Sequence, residues 1–411
     1  MHRLRLALPY FEMGGWQATV LAIKPEYVEL SKDPMLSEGL SDYAEIIRIN
    51  ALSQNWTRKL GLGNLGIRAI YPLLKKGNQL LRSESFDLIY FSTTVFDCMV
   101  LGRYWLNKFG VKFVIDLQDP WRNDYHLTED ADERPAKFWF DYRLKSFTEK
   151  VTMPHVAGIT AVTQQYINTV KQRYPIIQNT PSLELTFGAD ERDFAVADTL
   201  NIKNTIFMKE EGGVHIVYTG VVPESMLFCL KAIFLGLKDI LESHKGIMLH
   251  FIGTNYAIDN RVTERVMPLA MECGIKQYVT EHAQRLPYFE ALKAMKSADI
   301  LLLPGTMDCN YTASKLYPYI LARKPMLAIF NENSNASEIL SRLNSAELIT
   351  FSQNLIENIG EDVAHAMREM IRKIPFEPET KWREFDEYTA SKMTNKLTDF
   401  FDRILVSENK T

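Results

Sequence analysis

Apolar residues in this chain gather in short runs, and the stretches between them repeat with helical spacing. The runs at 86–91 (FDLIYF), 112–117 (KFVIDL), 155–162 (HVAGITAV), 215–218 (HIVY), 248–252 (MLHFI) and 298–304 (ADILLLP) show little apolar–polar alternation. That is the pattern of strands buried on both faces of a parallel sheet. Helical patterns at 95–109, 164–173 and 226–241 separate them, and a further helix starts near 285. A strand–helix series of this kind predicts α/β domains assembled from βαβ units. The opening differs. Residues 1–13 read as a helix with Leu4, Leu8 and Phe11 on one face, stopped by Gly14 and Gly15, and a strand follows at 18–23. A doubly wound domain normally begins with a strand and a glycine-rich turn before its first helix, and both are missing here. His2, Arg3 and Arg5 read as a solvated basic end. Toward the C-terminus a helix at 338–343 and a strand at 347–351 close the series, and Trp382, Phe385 and Tyr388 then recur at helical spacing.

A chain of 411 residues, 46% hydrophobic, exceeds one compact core and suits two domains of roughly 150 to 200 residues. The polar, strand-poor stretch before 213 places the boundaries at 1–190, a linker at 191–212 and a second domain at 213–380, with a terminal helix over 381–405 returning to the first. A net charge of −4 and the absence of any nucleic-acid motif give no reason to expect RNA or DNA. The four cysteines at 98, 229, 273 and 309 are scattered, which argues against zinc and against a disulfide framework and points to a reducing compartment. With no uncharged apolar run of about 18 residues and no signal peptide, the expectation is a cytoplasmic protein. Residues 55–82 are basic and amphipathic. Such a segment can lie on an anionic membrane at the inner face, or it can pack as a core helix with a solvated basic side.

Candidate chemistry concentrates at strand ends. After the run at 298–304 comes a polar loop with Asp308, Asn310, Tyr311 and Thr312. Ser314 follows as a plausible N-cap, and Lys315 falls in the first turn of a short helix. Free backbone N–H groups, the positive dipole end and an ammonium there can hold an anion, or Lys315 can be an ordinary solvated lysine. After the run at 112–117 comes DLQDPWRNDY, with Asp116, Asp119 and Asp124 around Trp121 and Arg122. It is either a ligand-facing loop or an acidic turn with internal hydrogen bonds. The aromatic, basic stretch 134–143 (RPAKFWFDYR) could line an entrance or pack a helix on the sheet; packing is the simpler reading.

The segment SKLYPYILARKPMLA resembles the SKLFEYLAAGKPVLA-type segment of nucleotide-sugar glycosyltransferases of the GT-B fold, in the broad retaining family that includes many polysaccharide and lipopolysaccharide transferases. The loop at 116–125 is similar to that family's D-x-x-D-x-W loop. The resemblance implies two Rossmann-like domains facing a cleft, the first lacking its first strand. It implies a nucleotide-diphosphate sugar as co-substrate with no other cofactor, and a glycan or lipid-linked acceptor. It assigns Asp119, Arg122 and Lys315 to catalysis and Gly220, Thr254, Asn255, Arg285, Asp308, Tyr311 and Ser314 to the donor. The donor region offers no acidic pair fit for a metal, so a metal-independent route is expected. Where the family has a ribose-binding glutamate this chain has Pro318, leaving Asp308, Asn310 or Tyr311 for that contact. An inverting variant would need a base, Asp119 or His126. A sugar-nucleotide epimerase or hydrolase, or a non-catalytic relic that binds nucleotide weakly, stays open as an alternative.

Overall fold

The apolar runs become parallel strands. In the computed structural model the described residues are 2–28, 33–37, 39–59, 63–122, 124, 127, 138–209, 211–244, 246–255, 263–307, 315–352 and 359–406. They fall into two compact units, Met1–Phe187 with Ala390–Thr411, and Gly188–Thr389.

In the first unit, β1 (Thr19–Ile23) and β2 (Glu45–Ile49) pair in parallel with Thr19 opposite Glu45. A separate parallel sheet runs in the order β3 (Leu88–Phe91), β4 (Lys112–Leu117), β5 (Gly158–Ala161) and β6 (Ser182–Glu184). Among the described residues no strand joins the two sheets. Because side chains alternate along a strand, β4 serves two cores. Phe113, Ile115 and Leu117 pack with Phe96, Met99, Trp121, Met153 and Ile159 on one face. On the other, Val114 joins Leu6, Leu8 and Phe11 and the stripe Leu397, Phe400, Phe401 and Ile404 of the helix Ala390–Val406. That cluster also takes in Val20 of β1 and Leu88 and Tyr90 of β3, so the terminal helix covers both sheets. Of the stretch 381–405, only the part from Ala390 onward belongs to this unit; the short helix Trp382–Phe385 and the turn Asp386–Tyr388 belong to the second.

The basic N-terminus departs from its expectation of a solvated end. Arg3 is fully buried. Its Nε donates to Asp116 Oδ2 at 2.7 Å, and its Nη1 and Nη2 donate to the carbonyls of Thr186 (3.1 Å) and Leu185 (2.6 Å). Thr160 and Gln118 also donate to Asp116, at 2.8 and 2.7 Å. Burial alone would depress the Arg3 pKa, but the neighbouring Asp116 carboxylate keeps it raised. Arg5 is buried as well. The basic segment 55–82 forms the helices Gln54–Lys59 and Leu65–Ser83. Arg68 points inward, donating to Leu52 O at 2.9 Å, while Tyr71, Lys75, Gln79 and Arg82 form the exposed stripe. The helix packs through its buried face and leaves a largely polar, basic side exposed. No helix among the described residues is long and apolar enough to cross a membrane.

The second unit is one parallel sheet: β7 (Val214–Thr219), β8 (Ile247–Ile252), β9 (Val279–His282), β10 (Ile300–Pro304), β11 (Met326–Asn331) and β12 (Glu347–Phe351), in the order β12-β11-β10-β7-β8-β9. The chain winds outward from β7 through β8 and β9, then returns to β10 on the opposite side of β7. Strand order therefore reverses between β7 and β10, the position where open α/β sheets hold ligands beyond the carboxyl ends of their strands. The helix Leu227–Ser243 buries Leu230, Ile233, Phe234 and Leu237 on this sheet. It meets the helix Ile359–Lys373 where a Cβ on Gly236 would lie 2.2 Å from the carbonyl oxygen of Gly360. Gly236→Ala is thus expected to cost about 1–3 kcal/mol by overpacking, seen as a lower urea midpoint for this unit. The expected linker 191–212 contributes a helix of its own, Glu191–Thr199, capped by Asp190 and buried through Phe194 and Ala197. Tyr288 donates to Asp193 at 2.9 Å, and Lys293 and Lys296 each reach Asp198 at 2.8 Å.

Candidate functional site

At the carboxyl end of β7 the chain turns at Gly220, whose φ of +136° suits glycine. The close neighbour explains the residue further: a Cβ on Gly220 would fall 1.4 Å from Lys315 Nζ. Lys315 precedes the short helix Leu316–Leu321, in which Pro318 sits in the first turn, where its missing N–H costs nothing. The Lys315 ammonium donates to Tyr218 Oη at 3.3 Å and lies 5.1 Å from the centre of that ring. Among the described residues no carboxylate pairs with it, and burial, followed by repulsion from Arg285, lowers its pKa to about 7. Tyr319 fixes the approach of the short helix, its hydroxyl accepting the Thr219 N–H at 2.7 Å. The turn after β10 is equally fixed, since Gly305 N–H donates to Ile329 O at 2.7 Å.

The loops after β8 and β9 continue the ladder beyond the strands. Gly220 N–H donates to Ile252 O (2.6 Å), Val222 N–H to Thr254 O (3.0 Å), Gly253 N–H to His282 O (2.7 Å) and Asn255 N–H to Ala283 O (3.1 Å). Arg285 is exposed at this end, its Cα 3.7 Å from where a Gly253 Cβ would sit. Thr254 is fully buried, and its hydroxyl donates to the Glu281 carboxylate. Glu281 in turn accepts the N–H groups of Arg265 (2.8 Å), Val266 (2.9 Å) and Met267 (2.7 Å), clamping the entry of the helix Met267–Glu272. Asn255 donates its amide to Thr263 O at 2.9 Å. The geometry gives Thr254 and Asn255 the work of holding this loop through Glu281 and Thr263. Glu281→Ala strips acceptors from three N–H groups and from Thr254; a loss of about 2–4 kcal/mol is expected, measured as faster amide exchange at 265–267.

In the first unit, Asp119 is exposed after β4, and partial exclusion of water by its surroundings pushes its carboxyl above the ordinary value. Arg122 belongs to a charged network. It lies 3.2 Å from Asp124 and 3.6 Å from Glu149, with its guanidinium 5.5 Å from the Tyr142 ring centre. Arg173 bridges the same two carboxylates at 2.7 and 2.6 Å. Burial of Glu149 raises its pKa despite both arginines. His126, Asp308, Tyr311 and Ser314 lie outside the described residues.

The structure thus gathers Lys315, Gly220 and Arg285 at one strand end of the second unit, with Thr254 and Asn255 in the adjoining loop, while Asp119 and Arg122 stand in the first unit. Tyr218, Tyr319 and Glu281 escaped sequence reasoning. The two tyrosines lie in apolar runs, where they resemble core residues, and no local pattern around Glu281 reveals three N–H partners contributed from 265–267.

Solved structures share this architecture. The chain is similar to sucrose-phosphate synthase from Thermosynechococcus elongatus, with a TM-score of 0.54 and 10% identity over 99% of this chain and 90% of that one. It is similar to the UDP-forming α,α-trehalose-phosphate synthase from Burkholderia vietnamiensis, with a TM-score of 0.56 and 11% identity over 90% and 80%. It also resembles HepE from Anabaena, solved with UDP-glucose, with a TM-score of 0.51 and 12% identity over 94% and 99%. No family model matches the chain, and no curated protein matches it in sequence. The fold is that of the GT-B class, built from two Rossmann-like domains.

Proposed function

We propose that the chain is a glycosyltransferase that takes a sugar from a nucleotide-diphosphate donor and passes it to a glycan or lipid-linked acceptor, in surface polysaccharide synthesis. The observation that carries this reading is the Lys315 ammonium, buried at the reversal point of the second sheet beside a glycine turn and without a carboxylate partner among the described residues. Burying a cation unpaired is unfavourable, and a diphosphate supplies the missing negative charge. Departure of the sugar leaves that charge on the nucleotide, where Lys315 and Arg285 can stabilise it as it develops. A positively charged pair of this kind suits a route without a metal. The resemblance of the 308–330 segment favours retention at the anomeric carbon. Asp119 and Arg122 are assigned to the acceptor and the transferring sugar, with the elevated Asp119 carboxyl suited to exchanging a proton with an acceptor hydroxyl. The HepE complex with UDP-glucose makes uridine diphosphate sugars the first donors to try.

A thermal-shift screen against UDP-, GDP- and CMP-sugars, followed by donor consumption with and without a membrane extract, tests the proposal. Stabilisation by one nucleotide series and turnover that requires the extract are expected. Turnover without any acceptor would instead indicate an epimerase or hydrolase, and a flat screen would remove the donor site altogether.

A further inference from the structure

The helix Phe138–Thr152 in the first unit carries an aromatic surface that the proposed reaction does not use. Trp139, Phe140 and Phe147 are 51%, 55% and 64% exposed. Arg143 and Lys150 are exposed on the same helix, and with about 3.6 residues per turn all five fall on one stripe. The acidic residues of the helix are engaged elsewhere. Asp141 pairs with Lys145 at 2.8 Å, and Glu149 is buried on Arg173 at 2.6 Å. Among the described residues, no carboxylate pairs with Arg143 or Lys150. Among the described residues the stripe is therefore apolar and positively charged, with no carboxylate on it.

We infer that this stripe lies on an anionic lipid surface. Aromatic rings flanked by Lys and Arg suit the boundary between acyl chains and headgroups, where Phe enters the apolar layer, Trp stays at its edge and the cations meet lipid phosphates. A symmetric contact with a second copy would set Arg143 and Lys150 against a like-charged stripe, which disfavours self-association. The inference extends the proposed function by giving a lipid-linked acceptor a place to be met. It also separates from the basic helix Leu65–Ser83, whose apolar residues Ile67, Ile70, Leu73 and Leu74 are half-buried.

The test is co-sedimentation of the full chain with phosphatidylcholine vesicles, with and without a third of phosphatidylglycerol. No sugar donor is present, so a failure here leaves the transferase reading intact, and a failed donor screen leaves this one intact. Binding should be at least about tenfold tighter to the anionic vesicles and weaken with salt. Phe140→Ser with Phe147→Ser should reduce it about tenfold or more, and Arg143→Glu with Lys150→Glu should remove the dependence on phosphatidylglycerol. Both pairs should melt like the parent, because all four side chains are exposed. Lys75→Glu with Arg82→Glu, on the other helix, should leave binding unchanged. The inference is overturned if the parent stays in the supernatant with anionic vesicles, or if the serine pair sediments as well as the parent. A dimer seen by light scattering that the serine pair dissolves would assign the stripe to a second copy instead.

Discussion

Replacing Lys315 by Met is expected to weaken nucleotide-diphosphate binding ten- to a hundredfold, the equivalent of about 1.5–3 kcal/mol for a charge-assisted contact. The same change should stabilise the empty second unit at neutral pH. The sign follows from the Lys315 pKa of about 7, well below the usual 10.5. Below pH 7 the folded protein carries the full cost of a buried ammonium, and that cost fades as pH rises from about 7 toward 10.5, because only the unfolded chain still holds the proton there. The parent should therefore gain stability over that window, and the Met variant should not. Binding runs the opposite way. A diphosphate favours the charged lysine, so the parent's affinity should be greatest below pH 7 and fall above it, with a proton taken up on binding. Calorimetry in two buffers of different ionisation enthalpy measures that uptake. Unchanged affinity in the Met variant, with a flat pH profile in the parent, would remove Lys315 from the site.

The largest loss of stability is expected from Asp116→Ala. It leaves the fully buried Arg3 guanidinium without its carboxylate while the carbonyls of Leu185 and Thr186 remain. Breaking a buried pair from one side costs about 3–5 kcal/mol. The effect should be confined to the first unit, since Arg3, Asp116, Thr160 and Met393 all lie there. The double replacement Arg3→Met with Asp116→Leu removes both charges and should recover most of the loss. Chemical denaturation of the three proteins decides it: if the single variant unfolds at the parent's midpoint, the pair contributes nothing.

The strands were legible in sequence because a strand buried on both faces is mostly apolar; 112–117 and 248–252 are recognised that way despite the buried Asp116 and His250 within them. The terminal helix was legible only in part: Trp382, Phe385 and Tyr388, whose helical spacing pointed to it, lie in the second unit, and the helix that returns to the first begins at Ala390. Arg3 was misread because a charge near a chain end is ordinarily solvated. Only the return of 185–186 and of the helix Ala390–Val406 encloses it, and both are far away in sequence. Lys315 was legible as a candidate through the 308–330 segment. Its depressed pKa was not, because that depends on Gly220, Tyr218 and Arg285 converging from other strands. Thr254 looked like a donor contact from its glycine loop, and the burial of its hydroxyl on Glu281 appears only in three dimensions. The helix Phe138–Thr152 shows the same limit in reverse. Its aromatic residues suggest packing, yet three of them face outward.

The central claim is that a nucleotide diphosphate sits on Lys315 at the turn after β7. A crystal structure of the full chain with UDP tests it most directly. The account predicts the diphosphate within hydrogen-bonding distance of Lys315 Nζ, above Gly220 and beside Arg285. UDP bound elsewhere, with Lys315 still turned onto Tyr218, would contradict it.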